Sequence, residues 1–162
     1  TEGIPDLADV LGLVAGQVPL LVEIKDQDGA MGPDIGPLEA AVAHCLQGYA
    51  GPVAVMSFNP HAVARMAKLL PEVPRGLVTS AYHQDDWPLP GDVRDHLREI
   101  PDYDRVGACC VSHAVSDLSR PRVAQLKDTG ACTLIRRPQG TVTPTCRQSG
   151  GQVWKKKSKF GW

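Results

Sequence analysis

Glu23 and Lys25 are the two residues whose types and spacing best suit chemistry on a charged substrate. They lie at the end of the run Val18–Lys25 (VPLLVEIK). Its apolar residues, bounded by a proline and a polar loop, are typical of a buried parallel β-strand. Side chains two apart on a strand share a face, so the pair lies together at the strand's carboxyl end. A carboxylate binds hard cations and a lysine binds phosphate, although the spacing also fits a simple salt bridge.

Alternating helix and strand patterns predict the elements that position this pair. Helices are expected over residues 6–15, from Pro37, from Asn59-Pro60, over 92–99 and over 121–129. Five strands are expected near residues 20, 54, 77, 108 and 133, the fourth spanning Arg105–Val111. This alternation predicts an α/β fold of parallel βαβ units. In such folds, barrel or open, ligands bind at the carboxyl ends of the strands.

The other chemically capable side chains have simpler interpretations. His113 follows the fourth predicted strand, where it could carry protons or act as a ligand, but a lone loop histidine is more often simply solvated, and we interpret it so. Cys109 and Cys110 fall inside that strand, where adjacent cysteines are typical small buried residues. No Gly-rich phosphate loop, GxSxG elbow or HExxH motif occurs in the chain.

Composition indicates one soluble globular domain. The chain has 162 residues, 43% of them hydrophobic and 22% charged. The longest mostly apolar run, Val10–Val22, is too short to span a membrane, and the first residues do not resemble a signal peptide. Five cysteines without a CxxC motif argue against a disulfide framework or a zinc site. We therefore expect a cytoplasmic protein without a membrane span.

Charge divides the chain unevenly. All 18 acidic residues lie within 1–128, whereas residues 129–162 carry seven of the 17 basic residues and no acid. We expect a domain over 1–135 and a basic tail over 136–162 that is poorly ordered and adds nothing to the core. The tail's Lys155–Lys159 run, with Trp154 and Phe160, suits a phosphate backbone or an acidic membrane, or is simply solvated.

Four segments, taken in order, resemble the glycerophosphodiester phosphodiesterase family, a (β/α)8-barrel group of phospholipase-C-like phosphodiesterases. The resemblance runs from about Ile4 to about Thr133. The segments are Ile4–Leu11 (IPDLADVL), Pro19–Lys25 (PLLVEIK), Ser57–Asn59 (SFN) and Pro71–Leu77 (PEVPRGL).

The resemblance implies that Glu23 is a ligand of a divalent metal, Mg²⁺ or Ca²⁺, and that Lys25 contacts the substrate phosphate. It also implies hydrolysis of a small-molecule glycerophosphodiester to glycerol 3-phosphate and an alcohol, in lipid metabolism. Two histidines serve as general acid and base in the family. On this interpretation nucleic acid is not a partner. The alternative is a non-catalytic module that binds phosphate or nucleic acid through the basic tail.

The family pattern is only partly present. The His-Arg-Gly strand, the Glu-x-Asp metal pair and the His-Asp motif do not occur, so neither catalytic histidine is assigned to this chain. We expect an incomplete TIM barrel of about five βα units, inactive alone, because eight strands close such a barrel. The family's final Trp-Thr motif is replaced by Leu134–Arg137. A shift of reading frame near Cys132 and a divergent natural tail both explain this difference.

Overall fold

The computed structural model describes residues 3–136 and 142–145. Within them, helices and strands alternate along the chain, as the sequence pattern predicts. In order, the elements are α1 (Leu7–Val14), β1 (Leu20–Glu23), α2 (Leu38–Leu46), β2 (Val53–Ser57), α3 (Pro60–Leu69), β3 (Arg75–Thr79), α4 (Gly91–Arg98), β4 (Cys110–Ala114), a 3-10 helix (Val115–Asp117), α5 (Pro121–Asp128), β5 (Cys132–Arg136) and β6 (Val142–Thr145).

The strands form one sheet in the order β1-β2-β3-β4-β5-β6. The first five are parallel, and β6 pairs with β5 in the antiparallel direction. Each strand lies beside its neighbours in sequence, which is the winding of a barrel, whereas a doubly wound sheet reverses its order. Among the described residues β1 and β6 remain edges. The fold is therefore an open part of an α/β barrel, which confirms the predicted fold class.

The helices cover one face of this sheet. Ile24 and Val55 pack in one buried cluster with helix residues, and Leu77 and Val111 pack in a second. Because side chains alternate along a strand, the intervening positions lie on the opposite face, which is the interior of a complete barrel. These positions are Glu23, Met56, Gly76 and Cys110.

Local capping explains where α1 and α3 begin. Asp6 accepts a hydrogen bond from Asp9 N at 2.9 Å, and the Asp9 carboxylate accepts one from Asp6 N at 3.2 Å, which forms a capping box. Asn59 accepts a hydrogen bond from His61 N at 2.8 Å, and Pro60 occupies the first helical position. The predicted start of this helix at Asn59-Pro60 is confirmed.

The fourth strand lies later in the chain than the sequence pattern predicted. Residues 101–107 form turns, and β4 begins at Cys110, not at Arg105. The carboxylate of Asp102 accepts a hydrogen bond from Arg105 Nε at 2.6 Å, and Gly107 adopts φ +61°, which glycine favours. The turn itself places Val106 in the core. This apolar residue suggested a strand, but it is buried although it does not belong to a strand.

Strand β6 was not predicted, because residues 136–162 show no strand period. Beyond Arg136 and this strand, the predicted basic tail lies outside the described residues, including Lys155–Lys159. The proposed domain boundary near residue 135 stays a prediction. Among the described helices, none has the length and apolar character needed to cross a bilayer.

Candidate functional site

Glu23 and Lys25 meet at the carboxyl end of β1, as their spacing predicted. Lys25 Nζ donates a hydrogen bond to Glu23 Oε1 at 2.6 Å. The Lys25 side chain is 74% exposed and that of Glu23 is 29% exposed. Such an exposed pair contributes only about 0–1 kcal/mol to stability. Either group can therefore leave this contact and bind another partner at little energetic cost.

The backbone beneath this pair is held by buried polar contacts. Ser57 Oγ donates to the carbonyl oxygen of Ile24 at 2.6 Å and accepts from Asn59 N at 3.1 Å. The fully buried Asn59 donates through Nδ2 to Asp26 Oδ1 at 2.7 Å and to the Gly32 carbonyl at 2.9 Å. These bonds join the loop after β1 to the end of β2. The backbone at Glu23 and Lys25 is fixed although their charged groups reach solvent.

The far end of the same loop has a second anchor. Glu39, in the first turn of α2, is only 1% exposed. Gln27 Nε2 lies 3.1 Å from each of its carboxylate oxygens, and Gln27 Oε1 accepts from Leu38 N at 3.2 Å. Neither anchor is visible in the sequence, because Asp26 and Gln27 look like ordinary loop residues. Together the anchors hold a glycine-rich loop against α2 and β2.

His113 is part of β4 and is fully buried, so its interpretation as a solvated loop residue was wrong. Its Nε2 lies 3.2 Å from Asp117 Oδ2, and its Nδ1 lies 2.7 Å from Thr79 Oγ1. A carboxylate only accepts, so the hydrogen-bond network assigns the proton to Nε2, and Nδ1 accepts from the Thr79 hydroxyl. Both ring nitrogens are therefore occupied, and the ring has no access to a substrate.

Burial lowers the pKa of His113 below its ordinary value of 6.5, although the hydrogen bond and charge of Asp117 act in the opposite direction. The ring is thus neutral at pH 7, and its contact with Asp117 is a hydrogen bond from an uncharged N–H to a carboxylate. Burial tends to raise the pKa of Asp117, but the hydrogen bond and charge of Arg120 outweigh it and lower this pKa from 3.8. Arg120 Nε donates to Asp117 Oδ2 at 2.6 Å. His113 therefore serves to hold β3, β4 and the following turn together.

We expect the free energy of unfolding to fall as the pH drops below 6.5. The folded-state pKa of His113 is depressed, so the unfolded chain binds more protons in that window and gains stability relative to the fold. The pKa of Asp117 is lowered in the fold, so a further part of the free energy of unfolding is lost as the pH falls below 3.8. Urea unfolding followed between about pH 5 and pH 8 measures the first effect.

The matched variants are His113→Gln, which keeps an amide donor and acceptor, and His61→Gln as the control on α3. The first should flatten the dependence of unfolding free energy on pH, and the second should leave it as in the parent chain. An unchanged slope in His113→Gln would show that other groups cause the dependence.

Aromatic side chains occupy part of the carboxyl edge in the described part of the chain. Phe58, Tyr82 and Trp87 pack against one another there, with ring centroids 4.8 Å apart for Phe58 and Trp87. The cavity beside them, which Thr79 also lines, measures about 10 Å³. A larger concavity of about 530 Å³ is lined by residues 3–13 and does not include Glu23 or Lys25. Neither of these two concavities is lined by Glu23 or Lys25.

The surroundings of Glu23, the predicted metal ligand, show how much of a metal site is present. Glu23 supplies hard carboxylate oxygens, which suit Mg²⁺ or Ca²⁺ as one ligand. No group of three or more acidic, histidine or cysteine side chains in the described residues is placed to hold a metal ion. The described residues therefore fit one ligand position, and they do not fit a complete metal site.

No family model and no curated protein sequence matches this chain. Solved structures do match it. A protein from Galdieria sulphuraria assigned as a glycerophosphodiester phosphodiesterase superposes with a TM-score of 0.60 and 18% identity, over 94% of this chain and 55% of that one. An Oleispira antarctica phosphodiesterase, solved with the product sn-glycerol-3-phosphate, gives 0.58 and 20% identity, over 81% of this chain and 48% of that one.

These matches define a class of fold. The chain has part of the α/β-barrel fold of glycerophosphodiester phosphodiesterases, in agreement with the resemblance in its sequence. It spans about half the length of the structures it matches.

Proposed function

We propose that this chain forms the carboxyl-terminal part of a glycerophosphodiester phosphodiesterase barrel. The proposed reaction releases glycerol 3-phosphate and an alcohol. The observation that carries the proposal is the Glu23–Lys25 pair, 2.6 Å apart on the interior face at the carboxyl end of β1. Barrel enzymes place their reacting groups at this edge. The two matched phosphodiesterases supply the substrate class.

In the proposed site Lys25 contacts the substrate phosphate as a mobile positive charge. Its ammonium reaches solvent, so it can turn from Glu23 to an incoming phosphate while the anchored backbone stays in place. Glu23 then becomes one ligand of a divalent ion, Mg²⁺ or Ca²⁺. Such an ion, when bound, neutralises charge on the phosphoryl group. The remaining ligands must come from outside the described residues.

Proton transfer needs groups that the described residues do not place at the pair. His113 is enclosed by Thr79 and Asp117, so it neither reaches a substrate nor carries a proton to solvent. The proposal therefore assigns both acid–base histidines to the half of the barrel that the matched structures contain and this chain does not span.

We expect the chain alone to release no glycerol 3-phosphate. Each missing acid–base group is typically worth about 10²–10⁴-fold in rate. An enzyme-coupled assay for glycerol 3-phosphate, with Mg²⁺ or Ca²⁺ added, measures this on the purified chain. Metal-dependent turnover that Glu23→Ala abolishes would contradict the expected inactivity.

The proposal is then tested on a restored barrel, by which we mean a fusion of this chain to the amino-terminal half of the Oleispira antarctica phosphodiesterase. Circular dichroism and gel filtration first establish that the fusion is folded and monodisperse. Turnover of glycerophosphodiesters by the fusion supports the proposal. A folded fusion that binds Mg²⁺ or Ca²⁺ and remains inactive contradicts it.

The alternative function, a non-catalytic module that binds phosphate or nucleic acid, depends on the basic tail. Those residues lie outside the described part of the chain. Salt-dependent binding to DNA or anionic vesicles that is lost on removal of residues 150–162 would favour it. Equal binding by the truncated chain would exclude it.

A further inference from the structure

Three thiols gather at the amino end of the sheet, opposite the proposed phosphodiesterase site. Cys109 directly precedes β4, Cys110 opens it, and Cys132 opens β5 in register with Cys110. All three are reduced. The proposed hydrolysis uses none of them.

Cys109 and Cys110 converge on a single backbone carbonyl. The sulfur of Cys109 lies 3.3 Å from the carbonyl oxygen of Arg75, and that of Cys110 lies 3.9 Å from the same atom. The two sulfurs therefore share one acceptor. Adjacent residues in a strand normally point to opposite faces. Here Cys109 precedes the first residue of β4, and both sulfurs approach the same oxygen atom.

The half-buried side chain of Arg75 adds a positive charge that acts on Cys109. Arg75 donates through one terminal nitrogen to the Pro71 carbonyl at 2.9 Å. Its Nε and its other terminal nitrogen are buried and have no hydrogen-bond partner in the described structure. Donors buried without an acceptor raise the free energy of the fold, and a nearby anion reduces this cost. A thiolate at Cys109 would be such an anion.

The ionisation of Cys109 agrees with this geometry. The pKa of the Cys109 thiol is lowered to about 7: the interaction with the Cys110 side chain has the largest effect, burial opposes it, and the backbone and charge of Arg75 contribute to the lowering. Cys109 is half-buried, so small reagents can reach it. The thiolate is the reactive form of cysteine toward oxidants and alkylating reagents.

We propose that Cys109 is an oxidation-sensitive thiol that hydrogen peroxide converts, through a sulfenic acid, into a disulfide with Cys110. The thiolate attacks one oxygen of hydrogen peroxide, the O–O bond breaks, and the other oxygen leaves as hydroxide, which is protonated to water. Sulfur loses two electrons and the peroxide gains them. The Cys110 thiol then attacks the sulfenic sulfur, an S–S bond forms, the S–O bond breaks, and a second water is released.

Cys110 is the expected partner because its sulfur approaches the same carbonyl oxygen of Arg75 as that of Cys109. A disulfide between neighbouring residues closes a small ring under strain, and strained disulfides are more easily reduced. The modification should therefore be reversible by a dithiol reductant. It does not depend on the proposed hydrolysis, so either can fail without the other.

The test uses the full chain with Cys146→Ser, so that the cysteine outside the described residues does not react. Cys45, another half-buried thiol, serves as the internal reference. At pH 7 we expect iodoacetamide to alkylate Cys109 about tenfold faster than Cys45. Equal rates at the two sites would contradict an activated Cys109.

Peroxide treatment followed by tryptic digestion identifies the bond. Arg120 precedes proline and resists trypsin, so Cys109 and Cys110 share the peptide 106–122, whereas Cys132 lies in 128–136. We expect peptide 106–122 to lose two hydrogen atoms, and dithiothreitol to restore them. A disulfide that joins the two peptides would overturn the assignment of Cys110 as the partner.

Near-isosteric variants separate the two roles. Cys110→Ser should leave a sulfenic acid on Cys109 that dimedone traps, and Cys109→Ser should abolish both the trapped product and the disulfide. Cys45→Ser should change neither. If Cys109→Ser still forms a disulfide at the rate of the parent chain, the proposal is wrong.

Discussion

In the restored barrel, Lys25→Met should lower kcat/KM by about 100-fold while the affinity for Mg²⁺ or Ca²⁺ stays close to that of the parent. Removing one preorganised group that stabilises transition-state charge typically costs about 10²–10³-fold. Lys25 holds its position through the anchored backbone and not through burial, since its side chain is 74% exposed. The loss should therefore affect catalysis and leave the fold intact. Lys68→Met, at an exposed lysine on α3, is the matched control.

Glu23→Gln should have the complementary effect in the same fusion. An amide oxygen is a poorer ligand for a hard cation than a carboxylate, so metal affinity should fall first and activity should recover at high metal concentration. Metal titration by calorimetry and substrate titration by the coupled assay separate the two roles. If both variants retain parental activity, Glu23 and Lys25 form only a surface salt bridge.

Gly76→Ala should destabilise the chain by about 3 kcal/mol, because the added methyl group overpacks a strand interior. A Cβ at this buried position would lie 2.9 Å from the Cys110 carbonyl oxygen and even closer to the Cys110 sulfur. The neighbouring strand would have to move, and β3 pairs with β4 at this register. The midpoint of urea unfolding measures the effect.

Gly91→Ala provides the control for this prediction. Its added Cβ would meet only the end of the Arg94 side chain, at 3.8 Å. The double variant Gly76→Ala/Cys110→Ala should recover part of the loss, since it removes the sulfur but not the carbonyl. A Gly76→Ala chain as stable as Gly91→Ala would show that the strands adjust at no cost.

Local chemistry explains which elements the sequence predicts well. Asn59-Pro60 fixes the start of α3, because the cap and the proline act within one turn. The fourth strand was misplaced because Val106 is apolar and buried, yet a turn ending at Gly107 delivers it. Periodicity detects burial, and it does not distinguish a strand from a turn that buries the same side chain.

In the candidate site, too, local contacts can be predicted from the sequence and long-range contacts cannot. The contact between Glu23 and Lys25 follows from two-residue spacing on one strand, so the sequence predicts it. The hydrogen bond from Asn59 to Asp26 joins residues 33 apart and depends on how β1 pairs with β2. His113 meets Thr79 only through the pairing of β3 with β4. Long-range register of this kind is not visible in a single sequence.

Strand β6 has a consequence for assembly. In a closed barrel the last parallel strand pairs with the first, but here the antiparallel β6 occupies that edge of β5. A segment that completes the barrel must displace β6. Because β6 belongs to the same chain, it is present at high effective concentration. β1 remains the accessible edge among the described strands. Completion should therefore begin at β1 and end with the exchange of β6 for a parallel partner.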